Sequence, residues 1–366
     1  TTPLIMPSIV PGAMLICPYS MAHFGTVAVL GMEVGIYNIP TLIYEKIHQS
    51  AGSWNSIRTA TVLSMVLVTT AAIILWIQNR VLSKGKYQII AGKSFRPTEL
   101  RLGVFRTPML IFCCVYIFVT IIVPTATIFG VGALKTYGLP LSLENMTLHN
   151  FEYILFEWEL TRDSIWNSIS LGLASALVTM FCGVIISYVI VKMKVRGKGF
   201  LEFLGMLPFS VPGSVIALGV ILAWSGKLGI NIYNTVWIIL VAYIARYMAF
   251  SLKANSAALE QVHDSLVEAA RASGASMGQA LRDIVVPLVR PGMVAAFFLI
   301  FLPALRELTV SVLLYGPNTR TLGVAIYTLN EDGETVYSAA LAAIALIIIV
   351  VGESLVKRLV TGKTAK

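Results

Sequence analysis

Charge is scarce in this sequence. Asp, Glu, Lys and Arg make up 12% of the 366 residues, about half the share of a typical soluble domain. A soluble surface needs roughly 25–35% charged residues, so the chain cannot cover itself with water-facing side chains. Cysteine offers no framework either. Cys17, Cys113, Cys114 and Cys182 all fall in apolar runs, and no CxxC spacing occurs, so they read as small buried hydrophobes. Only four histidines are present. His23 has no second ligand at metal spacing, and His48, His149 and His263 fall in expected loops with no constellation around them, so no metal site is expected. A GxxxxGK[ST] loop and an HExxH helix are both missing, and with them an ATP site and a zinc-peptidase site. What is present is apolar. Hydrophobic residues reach 57% and mean hydropathy is +0.81. This composition describes an all-α polytopic membrane protein and excludes disordered, collagen-like and disulfide-scaffold classes.

A membrane-crossing helix needs about 20 mostly apolar residues. Eight candidates satisfy this, at 8–31, 57–78, 108–131, 165–191, 201–224, 234–252, 292–315 and 336–356. The net charge of +9 reports orientation rather than nucleic acid, because its carriers alternate between loops. Arg80, Lys84, Lys86, Lys93, Arg96, Arg101 and Arg106 follow the second candidate. Lys192, Lys194, Arg196 and Lys198 follow the fourth, and Lys357, Arg358, Lys363 and Lys366 form the tail. These are the expected cytoplasmic sides. The opposite loops are acidic, with Glu144, Glu152, Glu157, Glu159 and Asp163 in one and Glu331, Asp332 and Glu334 in another.

The segment 254–291 is too polar to cross a membrane, yet it is patterned. Leu259, Val262, Leu266 and Ala269 recur at helical steps. Gly274 interrupts, and Ser276 followed by Gln279 has the spacing of a capping box that opens a second helix. Met277, Ala280, Leu281 and Ile284 continue an apolar face, and Pro287 and Pro291 are expected to stop it. The pattern spells helix, glycine turn, short helix and proline stop on the cytoplasmic side. It is either a knob for a partner or an interfacial helix lying on the bilayer.

Glu268-Ala269-Ala270, then Gly274, Ile284 and Val286-Pro287, resemble the EAA motif of ABC-importer permeases, with Val286 where leucine is usual. The resemblance implies a type I importer transmembrane fold and a coupling helix that docks on an ATP-binding subunit. Glu268, Ala269, Ala270, Gly274, Ile284 and Pro287 would form that element. Small side chains at 269 and 270 allow close approach, and Glu268 has Arg271 or Arg282 as an expected ion-pair partner.

An internal repeat is expected as well. Pro3-Leu4-Ile5-Met6-Pro7 resembles Pro287-Leu288-Val289-Arg290-Pro291, Gly31 parallels Gly316, and Leu42-Ile43-Tyr44 parallels Ala325-Ile326-Tyr327. On this reading 1–80 holds the last two crossings of a first repeat and 81–107 is a basic cytoplasmic linker. Residues 108–358 form a six-crossing second repeat, and 359–366 a tail. The whole protein would then have about twelve crossings, with the front of the first repeat before Thr1. The run His23–Gly31 and the run Arg306–Pro317 resemble the matching half-endings of ferric-iron permeases, within a fused group that also serves thiamine and aminoethylphosphonate. This resemblance implies ferric iron as cargo and a bacterial inner-membrane location. It implies two ATP-binding cassette subunits, a periplasmic binding protein and surrounding lipid as partners, and no nucleic acid. The chain itself would be a transport subunit rather than an enzyme, without a cofactor of its own, ATP and Mg belonging to the partner. The rival classes are a membrane-embedded enzyme, which would need a convergent polar constellation in the crossings, and a channel or secondary transporter working without ATP.

Within the expected crossings, Arg306 and Glu307 stand out, because intramembrane charge is costly and faces an interior or a cavity. They read as a gate or as a structural pair. Arg246 reads as a snorkelling side chain near a helix end. Pro208, Pro212 and Gly213 break the fifth candidate, as discontinuous helices beside a transport path do, or as a packing kink does.

Overall fold

The computed structural model describes residues 20–49, 54–84, 103–226 and 229–361. The linker expected at 81–107, the opening proline pattern at 3–7 and the tail beyond 361 therefore lie largely outside the described residues. Among the described residues the protein is helical, with two isolated β-bridges and no strand. The helices are α1 (Gly25–Leu30), α2 (Ile39–Gln49), α3 (Trp54–Lys84), α4 (Gly103–Gly132), α5 (His149–Glu152), α6 (Glu159–Lys192), α7 (Lys198–Ser210), α8 (Gly213–Trp224), α9 (Val236–Glu260), α10 (Asp264–Ala272), α11 (Met277–Leu305), α12 (Ser311–Leu314), α13 (Leu322–Glu331) and α14 (Thr335–Thr361).

Among the described residues, six helices are long and apolar enough to cross a membrane: α3, α4, α6, α9, α11 and α14. A seventh counts if α7 and α8, bent by 112°, form one crossing. Half of the expected crossing 8–31 lies outside the described residues, and its end is the short α1. The stretch 201–224 is interrupted between α7 and α8 at Val211 and Pro212, while Pro208 stays inside α7. Two expectations are corrected. The stretch 292–315 stops at Leu305, where Arg306 caps the helix. Pro287 and Pro291 do not end the hairpin helix. It continues through them after a π-helical turn at Leu281–Val285. A similar wide turn, Phe118–Ile122, precedes Pro124 in α4. Proline lacks an N–H and clashes with the preceding turn, and a locally widened turn accommodates both problems without breaking the helix.

The bundle centre is α6, α9 and α11, packed on one another. At 34 residues α6 is about 51 Å long at 1.5 Å per residue, more than a bilayer core of roughly 30 Å. Alongside Leu171, Met180 and Ile190, most of its buried face is small or hydroxylated, including Ser164, Ser168, Gly172, Ser175, Thr179, Gly183 and Ser187. Small residues let membrane helices approach closely and exchange hydrogen bonds. Here Ser251 Oγ donates to the Thr179 carbonyl at 2.9 Å, and Ser187 Oγ to the Leu252 carbonyl at 3.2 Å. A side chain on Gly183 would overlap Ser251. By contrast α4 buries nothing within its apolar stretch, which fits a helix facing lipid.

The loops sort by charge. The Lys192 ammonium at the end of α6 reaches the Val262 carbonyl (2.5 Å) and the Asp264 carboxylate (2.7 Å), so the basic loop and α10 share one end. At the other end Tyr153 packs on Tyr337 at 4.9 Å, and Ile154 and Trp158 pack near Leu329. That joins the two acidic loops on the opposite side.

Candidate functional site

Two regions gather the residues singled out above. The first is the polar hairpin at the basic end. α9 ends at Glu260, and α10 starts only after a break whose N-cap is His263, its Nδ1 accepting from the Ser265 N–H. The single face expected over Leu259–Ala269 is thus split. Leu259 and Val262 are buried with Val285 and Val289, whereas Leu266 is 44% exposed. The chain reverses at Gly274, whose φ of +91° suits glycine and strains other residues. Ser276 then caps the next helix with both arms of the capping box in place. The pentad Gly274–Gly278 has the GxSxG spacing of hydrolases, but Ser276 Oγ is occupied accepting from the Gln279 N–H and no strand precedes it. Glu268, Ala269 and Gly274 are exposed, Ala270 and Ile284 half-buried, and Pro287 exposed. Among the described residues Glu268 has no ion pair, and Arg282 lies beside Asp283 at 3.9 Å instead.

Lys192 fixes the base of this hairpin. Its hydrogen bond and charge hold the Asp264 carboxyl below the usual carboxylate range. Lys192→Met keeps the apolar stem but removes both bonds. It is expected to leave membrane insertion intact while making the 264–280 segment measurably more susceptible to limited proteolysis, since local opening follows the loss of local contacts. An unchanged cleavage rate would count against the clamp.

The second region is inside the bundle. Glu307 is 6% exposed, just after α11 ends. Its carboxylate takes a hydrogen bond from Tyr247 Oη at 2.7 Å and from the Val310 N–H at 3.1 Å, and meets Arg246 Nε at 3.2 Å. Its carbonyl accepts from Ser311 Oγ at 3.0 Å, which in turn bonds Tyr243 Oη at 2.6 Å. Arg306, the expected partner of Glu307, is exposed. The snorkelling role given to Arg246 is corrected, because this residue sits ten positions from Val236 in a 25-residue helix, about 15 Å from that end. It turns inward because Gly213 leaves room. A Cβ there would overlap Arg246 Nη1. Pro212 caps α8 in an extended conformation, so the Pro212–Gly213 break and Glu307 meet through Arg246. Pro208 is half-buried inside α7 and stands apart from this cluster.

A third cluster went unread in the sequence. Tyr44 Oη and Tyr327 Oη both donate to the Glu331 carboxylate, at 3.3 and 2.6 Å. Burial, and then the Glu331 charge, push the Tyr44 phenol up. Burial and the hydrogen bond to Glu331 do the same for Tyr327. Phe24 packs its ring against both, at 5.3 and 5.8 Å. His48 is not in a loop but in α2, 4.1 Å from the Tyr44 ring. The only sequence signal was the parallel between Tyr44 and Tyr327.

The family described as binding-protein-dependent transport system inner membrane component matches residues 179–364. Ferric transport system permease protein FbpB of Actinobacillus pleuropneumoniae is 30% identical over 359 residues, 95% of this chain and 49% of that protein. A Salmonella typhi protein named for 2-aminoethylphosphonate transport is 31% identical over 202 residues, 54% of this chain and 76% of that one. The chain spans about half the length of the ferric-named relative. Among solved structures, a bacterial ABC transporter that imports the acidic polysaccharide alginate shares the fold. The TM-score is 0.54 at 19% identity, over 69% of this chain and 94% of that one.

Proposed function

Because the chain belongs to the family of binding-protein-dependent transport system inner membrane components, we propose that it is the permease part of an ATP-driven importer for ferric iron in a bacterial inner membrane. The observation that carries the coupling role is the hairpin. A short helix, a glycine-only reversal and a capped second helix stand out from the basic end of the bundle, with Leu266 and Met277 left 44% and 42% exposed. Two ATP-binding cassette subunits would take up these elements, and ATP and Mg would be bound there. Closure of those subunits pulls the hairpin. α11 continues directly from it and α9 joins it across the short break at 261–263, so the pull reaches Arg246 and Glu307, where the path opens alternately to either side. A periplasmic binding protein delivers cargo at the acidic end.

Iron is supported by the similarity to a ferric-named relative along 95% of the chain. Aminoethylphosphonate is a second reading, favoured by the 31% identity over 202 residues with a protein of that name. The test is uptake of radiolabelled ferric iron by the native host with and without the gene, with thiamine and aminoethylphosphonate run in parallel. Loss of iron uptake alone is the expected result. Intact iron uptake with loss of another solute would overturn the cargo and keep the importer.

A further inference from the structure

We propose that Tyr44, Tyr327 and Glu331, with His48 beside them, form a transit site for a hard trivalent cation at the acidic mouth of the bundle. The proposal deepens the ferric reading and rests on it for the identity of the cargo. Its geometric basis is a matched pair of short helices. Tyr44 is the sixth residue of α2, and Tyr327 the sixth of α13. Each carries a further donor four residues on, His48 after Tyr44 and Glu331 after Tyr327, so each pair lies along one helix face. The two faces meet, because Tyr44 Oη reaches across to Glu331 Oε2 while Tyr327 Oη holds Oε1. Two phenol oxygens, one from each of two distant segments, therefore meet the two oxygens of one carboxylate.

The surroundings suit a cation that must arrive from water and leave again. Both phenol rings are buried, while Glu331 is exposed, so the oxygens sit where the apolar core gives way to the outside. Glu331 makes no ion pair among the described residues, which leaves its charge available. His48 Nδ1 is bonded to the Tyr44 carbonyl at 3.1 Å. A carbonyl only accepts, so Nδ1 carries the proton and Nε2 keeps its lone pair. Carboxylate and phenol oxygens are hard donors, the class that selects highly charged hard ions over soft ones, and tyrosine oxygen is an established ligand of iron. Each phenol that enters the coordination shell releases its proton to water, so the cation needs enough charge to displace it.

The test uses the full-length protein with its partner subunits in lipid nanodiscs, titrated with ferric citrate. Bound iron and the visible phenolate-to-iron charge-transfer band are read together. The wild type is expected to bind iron and show the band. The Tyr44→Phe/Tyr327→Phe double variant keeps both rings, elutes as a monodisperse complex, loses the band and binds iron at least about tenfold more weakly. Glu331→Gln weakens binding similarly, whereas Tyr37→Phe, an exposed phenol of the same segment, changes neither readout. Unchanged binding in the double variant, or wild-type protein that binds no iron, overturns the site. Cellular iron uptake separates the two readings. Uptake without binding removes the site and keeps the ferric importer, and binding without uptake does the reverse.

Discussion

Glu307→Ala is expected to abolish transport and to destabilise the protein by about 3–5 kcal/mol, the scale seen when one partner of a buried ion pair is removed. The change strands Arg246 in the middle of α9 and leaves the Tyr247 hydroxyl and the Val310 N–H without their acceptor. Arg246→Ala should cost a similar amount by stranding Glu307. The measurement is thermal unfolding of the purified complex alongside uptake. The informative variant is the double Arg246→Met/Glu307→Met. Well-packed apolar replacements of buried pairs are often neutral or stabilising, so its stability should return towards wild type. If uptake returns too, the pair serves only the fold. If stability returns and uptake does not, the pair belongs to the transport path, as proposed. Undiminished stability in Glu307→Ala would contradict the buried geometry itself.

The second large effect is expected at the hairpin. Gly274→Pro cannot adopt φ +91°, because the ring holds φ near −65°, and it removes the hydrogen bond from the Gly274 N–H to the Arg271 carbonyl at 3.0 Å. Glu268→Lys reverses an exposed charge on the adjoining helix without touching the core. Both should eliminate ATP-dependent uptake, at least about a hundredfold, while the protein still inserts and reaches the membrane in normal amounts. The contrast with Glu307→Ala lies in stability, since neither hairpin position contributes to the bundle core. Normal uptake in both variants would favour a transporter that runs without ATP.

Much of the hairpin was legible in the sequence because its determinants are local. A serine followed by a glutamine three residues later closes its own capping box, and a glycine at a reversal needs no distant partner. The continuation through Pro287 was not legible, because relief by a π-helical turn depends on the packing that holds α11 straight on both sides. Arg246 was misread for a related reason. A lone arginine in an apolar helix gives no sign of which way it turns, and the space that draws it inward belongs to Gly213, 33 positions away. Glu307 was found by its cost in an apolar run, but its partner was assigned by adjacency. The end of α11 at Leu305 leaves Arg306 facing outward instead.

The sequence by itself determined the membrane class, the separation of basic from acidic loops and the family, since these follow from composition, charge placement and a spaced motif along one chain. Only the tertiary structure decided which polar groups meet. Arg246 with Glu307, and Tyr44 with Tyr327 and Glu331, are joined across 61 to 287 positions. Such contacts are fixed by how helices cross and where small residues let them approach. Periodicity along a single helix carries no record of that.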